Sequence, residues 1–449
     1  MKLSVRIRRP AEIVAWLLVT FLVLFPKGGF RLAGAPLTWG YMLLGLIAFP
    51  LLLVRILQFP LTRVSRLGFL AAASVVPFQL IFCYTGWQQG ILDLNYAVAI
   101  GTGFLFLPVV FFLILPAFLP LIEPQRFKRH FCFCIFAAAV WGILMFFYHP
   151  IMHKFIEIPY LTVNAGDYGL LETTKHINRG AYLKLISTYN NGNLYGVATL
   201  ILLPLYLRLE PKPWKRNTVR VALTLTLSRT VWLGLLLEQG LTLVAGLGPV
   251  FARFPKIRPG RTLRQLLLIL ATFCLVLVGL LFNGNGLGFL KPSTDNLGAR
   301  TSEFEYFLHP TLLPSMPLTT FDEVLYASAL RNYGVIGFFT VVLIFFFPMF
   351  LMAQYPALTS TPSRRAAAKG LVIYALVAFI DGATVLIPVM AFYWFTYMTM
   401  LYGLPGEQPL THAGRSVRLL PGAPRSAPRY GLASASTATP ANPPFATGS

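Results

Sequence analysis

The chain has 449 residues and 37 Lys and Arg against 15 Asp and Glu, a formal net charge of +22, yet only 12% of it is charged and 56% is hydrophobic. Mean hydropathy is +0.68. Soluble domains carry about 25% charged residues, so composition excludes an ordinary soluble enzyme. Unbroken apolar runs such as FLFLPVVFFLILPAFLPLI (104–122) exclude an alternating membrane barrel.

The expected class is therefore all-α, a polytopic membrane protein of about 12 transmembrane helices. The spans read near 11–26, 36–58, 68–87, 96–122, 131–148, 193–209, 217–228, 230–251, 265–282, 330–352, 368–380 and 384–403. The first resembles a signal peptide. Lys27 and Arg31 separate it from the small-residue AGA at 33–35, so it is read as an uncleaved span.

The segments between spans sort by charge. Basic ones (Arg6, Arg8 and Arg9; Arg55 to Arg66; Arg126, Lys128 and Arg129; 208–220; 253–264; 364–369) are assigned to the cytoplasm. That pattern accounts for the positive excess without nucleic acid. Most acidic residues collect in the alternate segments, which include two long loops, about 149–192 and 283–329. Both termini are then cytoplasmic. The membrane domain is 1–403, and the Pro/Ala/Ser-rich stretch 404–449 is expected to be a disordered tail. Cys83, Cys132, Cys134 and Cys274 all lie in or at apolar segments, so no disulfide framework is implied. HPIMH (149–153) has no third ligand in view, so neither a metal nor another cofactor is expected.

LTLTLSRTVWLGLLL (223–237) places Ser228 and Arg229 inside an apolar run. Both flanks are basic, so the run must enter the membrane and return. Arg216 to Ser228 spans about twelve residues, roughly 18 Å of helix, against a core of about 30 Å. Arg229 is thus expected at the apex of a short hairpin, facing a wet cavity. Its partner is either a protein carboxylate or an anionic ligand that its planar fork can grip.

The motif resembles the T-x-S-R-[GT]-x-x-[LW] helix of the O-antigen ligase and polymerase family of bacterial inner-membrane glycosyltransferases. YNNGNLYGVATLILLPL (189–205) is similar to that family's Asn/Gly-rich entry to the preceding span. NLGARTSEFEYFLHP (296–310) resembles its large loop, and DEVLYASALRNYGVIGFF (322–339) the loop's exit. The resemblance covers about 189–345.

It implies transfer of a glycan from undecaprenyl pyrophosphate at the periplasmic face, with Arg229 and Arg300 holding the pyrophosphate and Asp322 and Glu323 as base candidates. Ser228, Asn193, Arg179 and His309 are further substrate-binding candidates, and Lys184 shares the first loop with Arg179. Where ligases of the family carry His-Asn, this chain has Asp322-Glu323, which points to a polymerase of oligosaccharide repeat units, with partners in a polysaccharide export system. A ligase, and a transporter of polysaccharide or lipid, are the alternatives. A transporter is expected to show related halves, and no internal repeat is evident.

Overall fold

The computed structural model describes residues 2–32, 35–57, 66–170, 178–179, 182–251, 304–307, 310–319, 321, 324–380 and 387–407. The expected span 265–282, most of the second long loop and all but the first four residues of the tail lie outside these. The described chain is mainly helical, and five of its helical stretches are long and apolar enough to cross a membrane.

In chain order, α1 (Lys2–Val19) widens into a π-turn at Thr20–Leu24. A hairpin of β1 (Gly29–Leu32) and β2 (Ala35–Thr38) leads into α2 (Trp39–Leu57). Then come α3 (Arg66–Ala73), α4 (Val76–Gln88) and α5 (Leu94–Gly101), the last continued by mixed turns to Ala117. The 29-residue α6 is Pro124–Met152. A two-residue hairpin, β3 (Asn178–Arg179) and β4 (Tyr182–Leu183), precedes α7 (Gly192–Leu209). Next are α8 (Pro213–Leu225) and α9 (Arg229–Phe251), then α10 (Leu325–Gln354), α11 (Pro362–Val377) and α12 (Ile387–Tyr402).

The two hairpins depart from an all-helical expectation. Both fall in connections, where strand pairing satisfies backbone groups that no helix serves. β1–β2 is tied to the first long loop by a Gly29–Asn164 bridge and an Arg31–Asp167 ion pair at 2.5 Å.

α7 is the centre of the core. Every residue from Leu194 to Tyr206 is buried. An apolar helix buried all round is wrapped by other helices, and here α9, α11 and α12 pack on it. At Gly370 the α11 backbone presses on Ile201, leaving no room for a β-carbon. Small residues permit this close crossing.

Three carbonyls that the helices cannot satisfy are taken by α12 or its end. Leu107 N–H bonds back to Thr102 in a π-turn, freeing the Gly103 carbonyl, which accepts from the Trp394 indole at 2.6 Å. Pro116 has no N–H for the Phe112 carbonyl, which accepts from Tyr402 at 2.9 Å. Pro348 likewise orphans the Ile344 carbonyl, which accepts from Tyr393 at 2.9 Å.

In α10 the helix breaks at Gly334, with φ 69° and ψ −174°. The second long loop docks into the break: Val335 N–H bonds to the Thr311 carbonyl at 2.8 Å, and a β-carbon at Gly334 would lie 2.8 Å from the Leu312 oxygen.

Candidate functional site

The site is built on the start of α7 and the turn between α8 and α9. Asn190 is left-handed (φ 57°), and the Asn191 side chain caps α7 by accepting from the amides of Asn193 (2.9 Å) and Leu194 (3.1 Å). Short amides suit both positions. A β-carbon at Gly192 would lie 2.8 Å from the Leu185 carbonyl and 3.5 Å from that of Thr226. Asn190, Asn191 and Gly192 of the Asn/Gly-rich entry therefore each have a local structural reason.

The 184–191 segment lies against the α8–α9 turn, with Leu185 N–H bonded to the Leu225 carbonyl at 3.0 Å. The chain reverses through Thr226, Leu227 and Ser228, with Leu227 left-handed at φ 49°. Thr226 Oγ1 donates to the Leu223 carbonyl at 2.7 Å, and the Trp232 indole to that of Thr224 at 2.9 Å. The helix break falls where the hairpin apex was expected, and Arg229 is the first residue of α9.

α7 and α9 run parallel and in close contact. A β-carbon on Gly196 would overlap Val231, and one on Gly234, a turn further on, would overlap Leu200. Their N-termini therefore open at the same end of the bundle. Each helix start carries a partial positive charge, roughly half an elementary charge; Asn191 already takes two amides of α7, so the uncapped start of α9 is the better suited to an anion.

Arg229 stands exposed at this end and makes no hydrogen bond or ion pair among the described residues. Nearby, Ser228 and Thr230 are buried, and Lys184 is nearly so. The hydroxyls of Thr188 and Thr230 and the Asn193 amide oxygen are buried with no partner among the described residues.

The acid of α9 is occupied elsewhere. Glu238, nine residues beyond Arg229, accepts from Lys369 of α11 at 2.6 Å and lies 3.8 Å from Arg220 of α8. Lys369 also bonds Thr242. This ion cluster joins three helices, and it was not foreseen in the sequence, although Glu238 is the lone acid of its apolar run.

Among the expected residues, the structure brings Ser228, Arg229 and Asn193 to one end. Arg179 has its backbone in β3, and its side chain lies outside what is described. Arg300, His309, Asp322 and Glu323 also lie outside the described residues. The backbone shortly before Asp322 and Glu323 is held in place: Leu318 pairs with Gly90 and Leu92 at 3.0 Å each, and Asn332 donates to the Thr319 carbonyl at 3.3 Å. Thr188, Thr230 and Arg331 were not singled out from the sequence; Arg331 packs over the Tyr306 ring at 5.2 Å. No known family's sequence profile matches this chain, and no curated protein matches it.

Proposed function

We propose that the chain is a polysaccharide polymerase that joins oligosaccharide repeat units carried on undecaprenyl pyrophosphate. The reaction belongs at the periplasmic face of a bacterial inner membrane, with about twelve spans and both termini in the cytoplasm. The observation that carries the reading is Arg229 at the start of α9, exposed and with no ion pair among the described residues, beside the parallel start of α7.

The chemistry follows from this arrangement. Attack by an acceptor sugar hydroxyl on the anomeric carbon releases lipid pyrophosphate, whose charge grows as the bond breaks. Fixed cations and the amides at the start of α9 stabilise that charge without reorganising. Arg229, with Arg300 from the second loop, binds the pyrophosphate. Lys184 and the hydroxyls of Thr188, Ser228 and Thr230 line the same end. The hydroxyl needs a base or an orienting acceptor, a role assigned to Asp322 and Glu323.

Arg229→Lys and Arg229→Ala test the reading, with polymer output measured against the protein present in membranes. Both are expected to insert normally and to fail, Lys because it keeps the charge but loses the bidentate fork. Normal polymer from either variant overturns the pyrophosphate role. Ligase activity is the competing outcome: transfer of preformed chains to an acceptor lipid, with no lengthening, replaces the polymerase reading.

A further inference from the structure

Away from the candidate site, α1, α2, α6, α12 and the turns around Leu115–Leu121 enclose a cavity of about 390 Å³. That volume lies within the range of small-ligand pockets, about 300–1,000 Å³. Its walls are side chains such as Leu22, Phe127, Phe131 and Phe395, with no charged residue among them. Leu46, 72% exposed, stands on its rim, so the cavity opens sideways from the bundle where lipid would lie.

The cavity follows α1 from Ala11 to Leu22. Eleven residues rise roughly 16 Å, close to one leaflet, about half of a 30 Å core.

Basic residues lie near one end: Arg126, Lys128 and Arg129 are in the first turns of α6, whose Phe127 and Phe131 line the cavity. Two carboxylates share this region, Glu12 and Glu123. Both are engaged by Arg126, at 3.4 Å and 2.6 Å. Lys128 and Arg129 have no ion pair among the described residues. The start of α6 adds its own partial positive charge. An apolar slot one leaflet long, with Lys128 beside its lining residues Phe127 and Phe131 and without an ion pair among the described residues, matches one class of molecule.

We propose that this cavity seats an acyl chain of an anionic bilayer phospholipid, with its phosphate at Lys128 and the start of α6. The assignment is independent of the polymerase reading. Charge complementarity selects the anionic headgroup, since a cation near a membrane surface favours acidic lipid. The cavity's length selects an ordinary acyl chain confined to one leaflet.

The experiment uses the full chain purified and reconstituted in phosphatidylcholine discs. The probes are phosphatidylglycerol and phosphatidylcholine with the same diazirine-bearing acyl chain. The phosphatidylglycerol probe is expected to label peptides covering 11–24 and 115–131 several-fold more than the phosphatidylcholine probe. Lys128→Gln, which leaves the cavity walls intact, is expected to erase that difference, and Arg129→Gln, on the opposite face of α6, is expected to keep it. Leu18→Trp, which fills the cavity, is expected to lower labelling by both probes. Equal labelling of the wild type by both probes overturns the anionic assignment. An undecaprenyl phosphate competitor that displaces the probe better than unlabelled phosphatidylglycerol overturns it in favour of a prenyl seat. Labelling absent from these peptides overturns the site itself.

Discussion

Replacing Gly334 by alanine tests how the second long loop is anchored. At φ 69° and ψ −174° the residue lies in a region essentially reserved for glycine. Holding alanine there costs about 1–3 kcal/mol from backbone strain alone. Its β-carbon would also sit 2.8 Å from the Leu312 carbonyl oxygen and 2.8 Å from the Leu313 carbonyl carbon, both backbone atoms that cannot swing aside. The loss is therefore expected at the upper end of that range, about 3 kcal/mol. Asparagine, which tolerates true left-handed positions, is not expected to rescue, because those have ψ near +45°. Gly45, inside α2 with nothing within 4 Å of a built β-carbon, is the control. Alanine there is expected to be neutral or to stabilise by up to about 1 kcal/mol. The assay is unfolding of the purified protein by SDS titration in mixed micelles, followed by circular dichroism. Equal midpoints for the Gly334→Ala and Gly45→Ala proteins would refute the reasoning.

Tyr393→Phe is expected to cost about 1 kcal/mol in the same titration, by leaving the Ile344 carbonyl without a donor; no loss would mean that another group serves it. Lys369→Met is expected to cost about 2–3 kcal/mol, less than a fully isolated buried charge because Arg220 stays near Glu238. Adding Glu238→Gln should restore most of that, and a double variant worse than the single one counts against the pair. Gly196→Leu is expected to push α9 off α7 and abolish polymer output while leaving membrane insertion intact; full activity would separate the helix pair from the chemistry. Asp322→Asn combined with Glu323→Gln is expected to halt polymerisation with lipid-linked single repeats accumulating, and unchanged chain lengths would place the base elsewhere.

The positions of most helices were legible because membrane spans declare themselves by continuous apolar length. The break at Ser228-Arg229 was legible for the same reason, since a guanidinium interrupts such a run. Gly334 was visible only as a letter in a motif; the need for positive φ and close loop docking appears only in three dimensions. The β1–β2 hairpin was missed because its eight strand residues, including Pro36, carry no alternation strong enough to stand out beside the spans. Glu238 was missed for a different reason. Its partners, Lys369 and Arg220, sit on other helices, and no spacing rule in one dimension joins them. The convergence of the α7 and α9 starts likewise depends on Gly196 and Gly234 meeting Val231 and Leu200.

The aromatic groups of α12 set an order on how the protein can be made. Ile387–Tyr402 follows every other described helix in the chain, so it is the last of them to leave the ribosome. Until it arrives, the carbonyls of Gly103, Phe112 and Ile344 have no donor from Trp394, Tyr402 and Tyr393. An unserved carbonyl in hydrocarbon is costly, so the earlier helices wait in a half-assembled state open to water or to chaperones. A chain stopped short of Ile387 keeps nearly all its spans and still lacks the piece that closes them, which makes it a natural substrate for membrane proteolysis.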